Sequence, residues 1–550
     1  MKKFTAVFAL SVLSFYCSHS QVSPTPSVAD TIRLVEILRT NRYGYERIDS
    51  LTALQILVGQ VHLKEKTTHF YADSTVINNN ARIIEAFGNV HINDNDSVHT
   101  YSQYLLYNLN TKIATLKKKV RLTDDKTNLY TEELEYDVNQ KIGIYRNGGR
   151  VVNGTSVLTS NEGTYYAELK DVYFKHNVVL KDPQYDLKSD SLLYNTDTEI
   201  ATFISETFII DSAKRSIKTR EGFYDLKNKK AFFGKRPTIS DGAVRIIADE
   251  VETDDVTGVN KLRGNAVFVD TSQGLSVLAN YIESNRDKGW FRATQHPLMI
   301  IKQENDSIYI TADTLYSGRL SSLPKDSAVS KDTSRAVSKT VVPTRSKDTV
   351  KTATVIDTKN DSTDRYFQAF HHVRIFSDSL QAVSDSLFYS AKDSIFKLFT
   401  EPIVWASGSQ VTGDTIYLYT KNKKADQLYV FENGLAVNKT GEGMFNQIRG
   451  NRLFGYFIEG AIDYMRAKGN AESVYFVRDE DELLVGVNKA TGDIIDMRFK
   501  NKELDRVVFI SDVKGTMFPA NQMPEEEKTL RNFQWHDDKR PKTKFELFGN

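Results

Sequence analysis

Gly59-Gln60-Val61-His62-Leu63-Lys64-Glu65 is answered, 29 residues on, by Gly88-Asn89-Val90-His91-Ile92-Asn93-Asp94. The acidic or amide residue that closes each stretch recurs as Glu65, Asp94, Asp124, Asn153, Asp182, Asp211, Asp241 and Asp270, at successive differences of 29, 30, 29, 29, 29, 30 and 29. Two residues before each stands a large apolar side chain: Leu63, Ile92, Leu122, Val151, Leu180, Ile209, Ile239 and Phe268. The residues between (Lys64, Asn93, Thr123, Val152, Lys181, Ile210, Ser240 and Val269) are mixed. In a chain that is 40% hydrophobic, an all-apolar set of this kind arises by chance on the order of once in a thousand trials. An internal repeat of this length organises the chain and precedes any motif in the argument.

A second landmark runs in phase: Tyr107, Tyr136, Tyr165, Tyr194 and Tyr224, most followed by Asn- and Asp-rich turns such as Asn108-Leu109-Asn110 and Asp137-Val138-Asn139. Within a repeat the apolar residues alternate, as in Val90 and Ile92, Val120 and Leu122, Val178 and Leu180. That period of two places one apolar row on one face of a strand and excludes the spacing of three and four that a helical solenoid needs. Each repeat therefore reads as strand, turn, strand, turn, and the expected fold class is all-β, an antiparallel β-repeat jelly roll with repeats of about 29–30 residues. The period does not choose between an open, a folded-over and a closed sheet. A single apolar row needs cover, which two sheets, or one sheet folded over, supply at about 10 Å separation.

The 550 residues carry Lys+Arg 72 against Asp+Glu 71, a net charge of +1 that leaves no electrostatic footprint for nucleic acid or an anionic membrane surface. Lys2 and Lys3, the apolar run from Phe4 to Tyr16 and the small Ser18 and Ser20 predict a secretory signal over residues 1–20, cleaved after Ser20. The only cysteine, Cys17, lies inside it, behind a Tyr16 too bulky for a lipidation signal, so no disulfide or thiol chemistry is expected afterwards. Residues 21–320 form the main β-repeat region, and 321–364, rich in Ser, Thr, Lys and Asp without an aromatic residue, read as a low-complexity flexible insertion. Strand texture resumes over 365–518, with Tyr389 and Tyr419 again 30 residues apart, and 519–550 read as a polar, loosely ordered tail.

The usual spaced signatures of catalysis and metal binding are missing, so no enzymatic activity, cofactor or metal is expected. His62 and His91 are repeat-equivalent and could stack as ligands, but without further ligands in the pattern they read as two polar residues on the outer face of neighbouring strands. His371-His372 should point to opposite faces of a strand. The periodic aspartates read as turn residues, and Asp479-Glu480-Asp481-Glu482 as a solvated loop. A glycan-active enzyme would need an unrepeated, converging pair of carboxylates.

The phrases Gly59-Gln60-Val61, Glu85-Ala86-Phe87-Gly88-Asn89-Val90, Tyr71-Ala72-Asp73-Ser74, Gly264-Asn265-Ala266-Val267-Phe268 and Ile310-Thr311-Ala312-Asp313-Thr314 resemble the OstA-like, LptA-type family of lipopolysaccharide-transport proteins. The likeness is strongest over residues 32–320 and weaker over 367–518. It implies a twisted jelly roll, or β-taco, in the periplasm, whose apolar trough holds the lipid A acyl chains of lipopolysaccharide and which meets other jelly-roll components, or itself, end to end. The row Leu63, Ile92, Leu122, Val151, Leu180, Ile209, Ile239 and Phe268 is then the candidate trough. Read from the residues alone, the same row fits a filled core in a structural scaffold of the envelope. The chain departs from a compact bridge protein in its length and its insertion.

Overall fold

The computed structural model describes residues 35–49, 52–124, 126–302, 307–323, 364–406, 408–421, 424–458, 461–479, 481, 483–500, 503–520 and 522–548. The signal peptide, Cys17, residues 324–363 of the insertion, Glu480 and Glu482 lie outside the described residues. The chain divides into two units, one of residues 1–124 and 133–140, the other of 125–132 and 141–550. Antiparallel strands dominate both, and the only helical turns among the described residues are three short 3₁₀ segments.

In the first unit, Ala53–Glu65, Thr68–Asn78, Ile83–Asp94, Val98–Asn108 and Ile113–Thr123 pair antiparallel in sequence order. Every one of these pairings shifts register near its middle, as between Phe87 and Val90. At these shifts stand consecutive residues in the left-handed region, Gly59-Gln60, Gly88-Asn89 and Lys118-Lys119. Such bulges bend a strand sharply. The consequence is visible at the strand ends. Glu65 pairs with Thr68 at one end of the ladder, whereas Tyr107 pairs with Ile84 at the other. A flat sheet would hold those ends about 30 Å apart, yet the Tyr107 hydroxyl donates to Glu65 Oε2 at 2.5 Å. The sheet is folded over at its bulges, and its two halves face each other.

The second unit repeats this construction. Asp171–Asp182 and Tyr185–Asn195 are continuous bent strands with a shift between Lys175 and Val178. Their neighbours are broken at the corner into two short strands, as in Ile200–Phe203 with Thr207–Asp211, each half pairing in its own layer. Pairing passes directly across the insertion: Ser307–Thr311 and Thr314–Gly318 both pair with Tyr366–Phe376. Beyond it the strands lengthen, reaching Ala461–Arg478 and Leu484–Lys500.

Residues 522–548 form no strand, but the loose order expected of this polar segment is not what its contacts show. Met523, Leu530 and Leu547 are buried. Met523 and Leu530 join Leu435, Val437, Val474, Phe476 and Val487 in one apolar cluster. Two fully buried glutamines hold its main chain: Gln447 donates to Lys528 O and accepts from Leu530 N, and Gln410 donates to Gln534 O and accepts from His536 N, all at 2.8 Å. The segment covers the outer face of this part of the sheet, because Gln410 and Gln447 are offset by one residue from the interior positions Val411 and Ile448. A few apolar side chains spaced through a polar sequence sufficed, and composition concealed them.

Candidate functional site

Within each unit the candidate residues occupy one register of the ladder. In the first unit the cross-strand partners run Leu63, Phe70, Ile92, Thr100, Leu122. In the second they run Leu129, Val151, Leu158, Leu180, Leu187, Ile209 and continue through Ile217, Ile239 and Ile246 to Phe268. Seven of the eight predicted positions are between 1% and 6% exposed. Phe268 is half-buried and stacks on Phe291 of the opposite layer at 6.2 Å. The row continues past it as Val277, Met299, Ile310 and, across the insertion, Ile375. Sequence reading took one strand per repeat and so missed the alternate members. Their signal was present, since Leu129, Leu158, Leu187, Ile217 and Ile246 follow one another at 29, 29, 30 and 29 residues.

Each layer is hinged to the other at the bulges, so the opposite margin, where the turns lie, is the seam of the fold. There the two periodic landmarks of the sequence meet. Glu65 accepts from the Tyr107 hydroxyl and pairs with Lys112. Asp94, buried, accepts from Tyr136 at 3.2 Å and from Thr68 at 3.0 Å. Asn153 donates to the Tyr194 hydroxyl at 3.1 Å and to Thr196 O at 2.9 Å. Asp255 accepts from Tyr185 at 2.7 Å and Tyr224 at 3.3 Å. Burial and the adjoining carboxylates hold the Tyr107 and Tyr224 hydroxyls protonated far above the ordinary tyrosine range, and burial pushes Tyr194 up to about 12. Tyr107 and Tyr224 are therefore permanent donors, and the tyrosine contacts of Glu65, Asp94 and Asn153 join residues 41 or 42 apart, as Asn153 with Tyr194 and Asp94 with Tyr136. Asp270 keeps the turn role expected of it, accepting from Ser272 N and Gln273 N.

The histidines fall elsewhere. His62 and His91 lie on the outer face of the first unit, in the row His62, Tyr71, His91, Tyr101, Arg121. His371 and His372 do not alternate across a strand as expected: both have positive φ at a corner, where His371 meets Asp385 at 3.1 Å and His372 meets Asp313 at 3.0 Å. In the acidic stretch, Asp479 Oδ1 accepts from Asp481 N and Leu483 N, a local turn. No helix of the described residues is long and apolar enough to cross a membrane, which says nothing about strands.

The family model for OstA-like proteins matches residues 33–190. Among solved structures, a match is found to LptH from Pseudomonas aeruginosa, described as the LptA-homologous periplasmic component of the conserved lipopolysaccharide transport device. The two are 13% identical, with 33% of this chain and 80% of that one covered and a TM-score of 0.14. No curated protein matches the chain.

Proposed function

Residues 33–190 match the family model for OstA-like proteins, and from that premise we propose that the protein is a non-enzymatic periplasmic carrier in lipopolysaccharide transport, holding acyl chains between the two layers of its folded sheet. The observation that carries this reading is the largely apolar ladder within each unit combined with a seam that, among the described residues, is closed through side chains. Main-chain hydrogen bonds run within each layer and turn the bulged corners, so the layers can part along the seam without breaking a strand. A neutral hydrogen bond is worth about 1 kcal/mol net and one to a charged group up to about 3 kcal/mol. An acyl chain of about twelve methylenes, shielded from water at about 0.8 kcal/mol each, recovers roughly 10 kcal/mol. Several latches can thus be opened for one chain, while the saccharide stays outside at the seam. A membrane shields the same chain equally well, so direction has to come from partners. The N-terminal edge suits end-to-end addition of further strands: Glu36–Arg39 and Arg42–Arg47 pair only with Ala53–Glu65 among the described residues, and expose Ile37, Leu38, Tyr43 and Tyr45.

The near-complete burial of the ladder favours a second reading, a structural scaffold with a filled core. Mass spectrometry of lipid retained by the protein purified from its native envelope separates the two. The carrier is expected to retain acylated saccharide lipid in stoichiometric amounts. Repeated recovery of the folded protein without lipid would support the scaffold.

A further inference from the structure

Four of the chain's ten histidines are gathered on the outer face of the first unit in two like pairs. His62 stands opposite Tyr71, and His69 lies two residues before Tyr71 on the same face; His91 stands opposite Tyr101, and His99 lies two residues before it. His62 Nε2 is 2.9 Å from His69 Nδ1, and His91 Nε2 is 3.2 Å from His99 Nδ1. The planes of His62 and His91 are fixed by stacking on Tyr71 at 4.3 Å and on Tyr101 at 4.4 Å. All four rings are half-buried, so each pair presents an edge to water.

We propose that His62 with His69, and His91 with His99, form two repeat-related bidentate sites for a late first-row divalent metal ion, copper(II) or nickel(II) before zinc(II), each completed by water. With metal–nitrogen bonds of about 2.0–2.1 Å, two nitrogens on one ion lie about 2.9 Å apart at a right angle and about 3.3 Å apart in a tetrahedron. The observed separations fall in that interval; in each pair one ring nitrogen donates its N–H to the other, so moving that proton to the same ring's second nitrogen and rotating the rings slightly aims both lone pairs at one ion. Imidazole suits these metals, and it must be neutral to bind. Burial, with the partner imidazole adding to it, holds His62 and His91 below the ordinary histidine range, which keeps their lone pairs available near neutrality. Among the described residues no group of three or more His, Cys, Asp or Glu is placed to hold an ion, so each site has two protein ligands. The two sites differ in surroundings. Arg39 and Lys64 bear on His62 and oppose a second cation there, which makes His91 with His99 the tighter site.

Calorimetric titration of the untagged full-length mature chain with copper(II) alone, near neutral pH, tests the assignment. Two equivalents are expected. His99→Gln should remove the tighter one, His69→Gln the weaker, and the double variant both, with the unfolding temperature recorded for each. The alternative double variant His62→Gln with His91→Gln deletes the other ligand of each pair and should show the same loss, which separates ligation from damage to the fold. No saturable binding to the parent chain, or undiminished stoichiometry in both double variants, overturns the proposal. The outcome is independent of whether the interior carries lipid.

Discussion

Gly88 and Asn89 hold φ values of 69° and 40°, the left-handed pair that bends their strand. A Cβ on Gly88 would stand 2.4 Å from Asp73 Oδ2, the atom that accepts from the Asn89 amide at 2.9 Å. Gly264, Asn265 and Asp249 repeat the arrangement, with a Cβ on Gly264 again 2.4 Å from the carboxylate and the amide bond at 2.8 Å. The recurring Gly-Asn phrase is thus the signature of a corner braced by an aspartate from the corner that precedes it. Gly88→Ala is expected to cost about 2 kcal/mol, from left-handed strain and the displaced carboxylate. Lys118→Ala, at an equivalent corner with φ of 65° already occupied by a side chain, should change stability by less than about 0.5 kcal/mol. Thermal unfolding of the two variants checks the contrast, and equal effects would contradict the account of the corner. Corners such as Lys118-Lys119 and His176-Asn177 were illegible in the sequence. A non-glycine residue in this conformation leaves no compositional mark. The latches were half legible: the carboxylates and tyrosines stood out as landmarks, but the pairing of Asp94 with Tyr136 depends on the fold-over, which the period alone leaves open.

At the scale of elements, the alternation of apolar residues identified strands wherever the outer face is polar, as in Ile83–Asp94. It was least informative after the insertion, where consecutive residues such as Ile403, Val404 and Trp405 are all buried, because the segment 522–548 covers the outer face there. A strand buried on both sides loses its period of two. The insertion itself is closed at its base. Ser321 N and Oγ donate to the two carboxylate oxygens of Asp364 at 2.8 and 2.7 Å, and Leu320 N donates to Asp364 O at 3.3 Å. The flanking strands pair with one another directly. Replacing residues 324–363 by a short Gly-Ser linker should therefore leave the unfolding temperature unchanged or slightly raised, since closing a shorter loop costs less entropy. A loss of several kcal/mol would show that the segment contributes to the fold.

For the molecule as a whole, the apolar register is the feature on which the proposed function turns. It was legible because burial of one face fixes strand register, and a slip of one residue would bring Lys181 or Asn93 into the interior. Whether the interior admits a lipid was not legible, since a row of Leu, Ile and Val serves a filled core and an acyl trough alike. The most direct test places a photo-crosslinking residue singly at Ile92, Leu180 and Ile209 in cells, and at Lys181 and Ile210 as controls. Ile210 is the stringent control, an apolar side chain 49% exposed on the opposite face to Ile209. If the interior carries acyl chains, the three buried positions capture acylated saccharide lipid and the two outer positions do not. Equal capture on both faces, or none anywhere in a folded and exported protein, would contradict the carrier account.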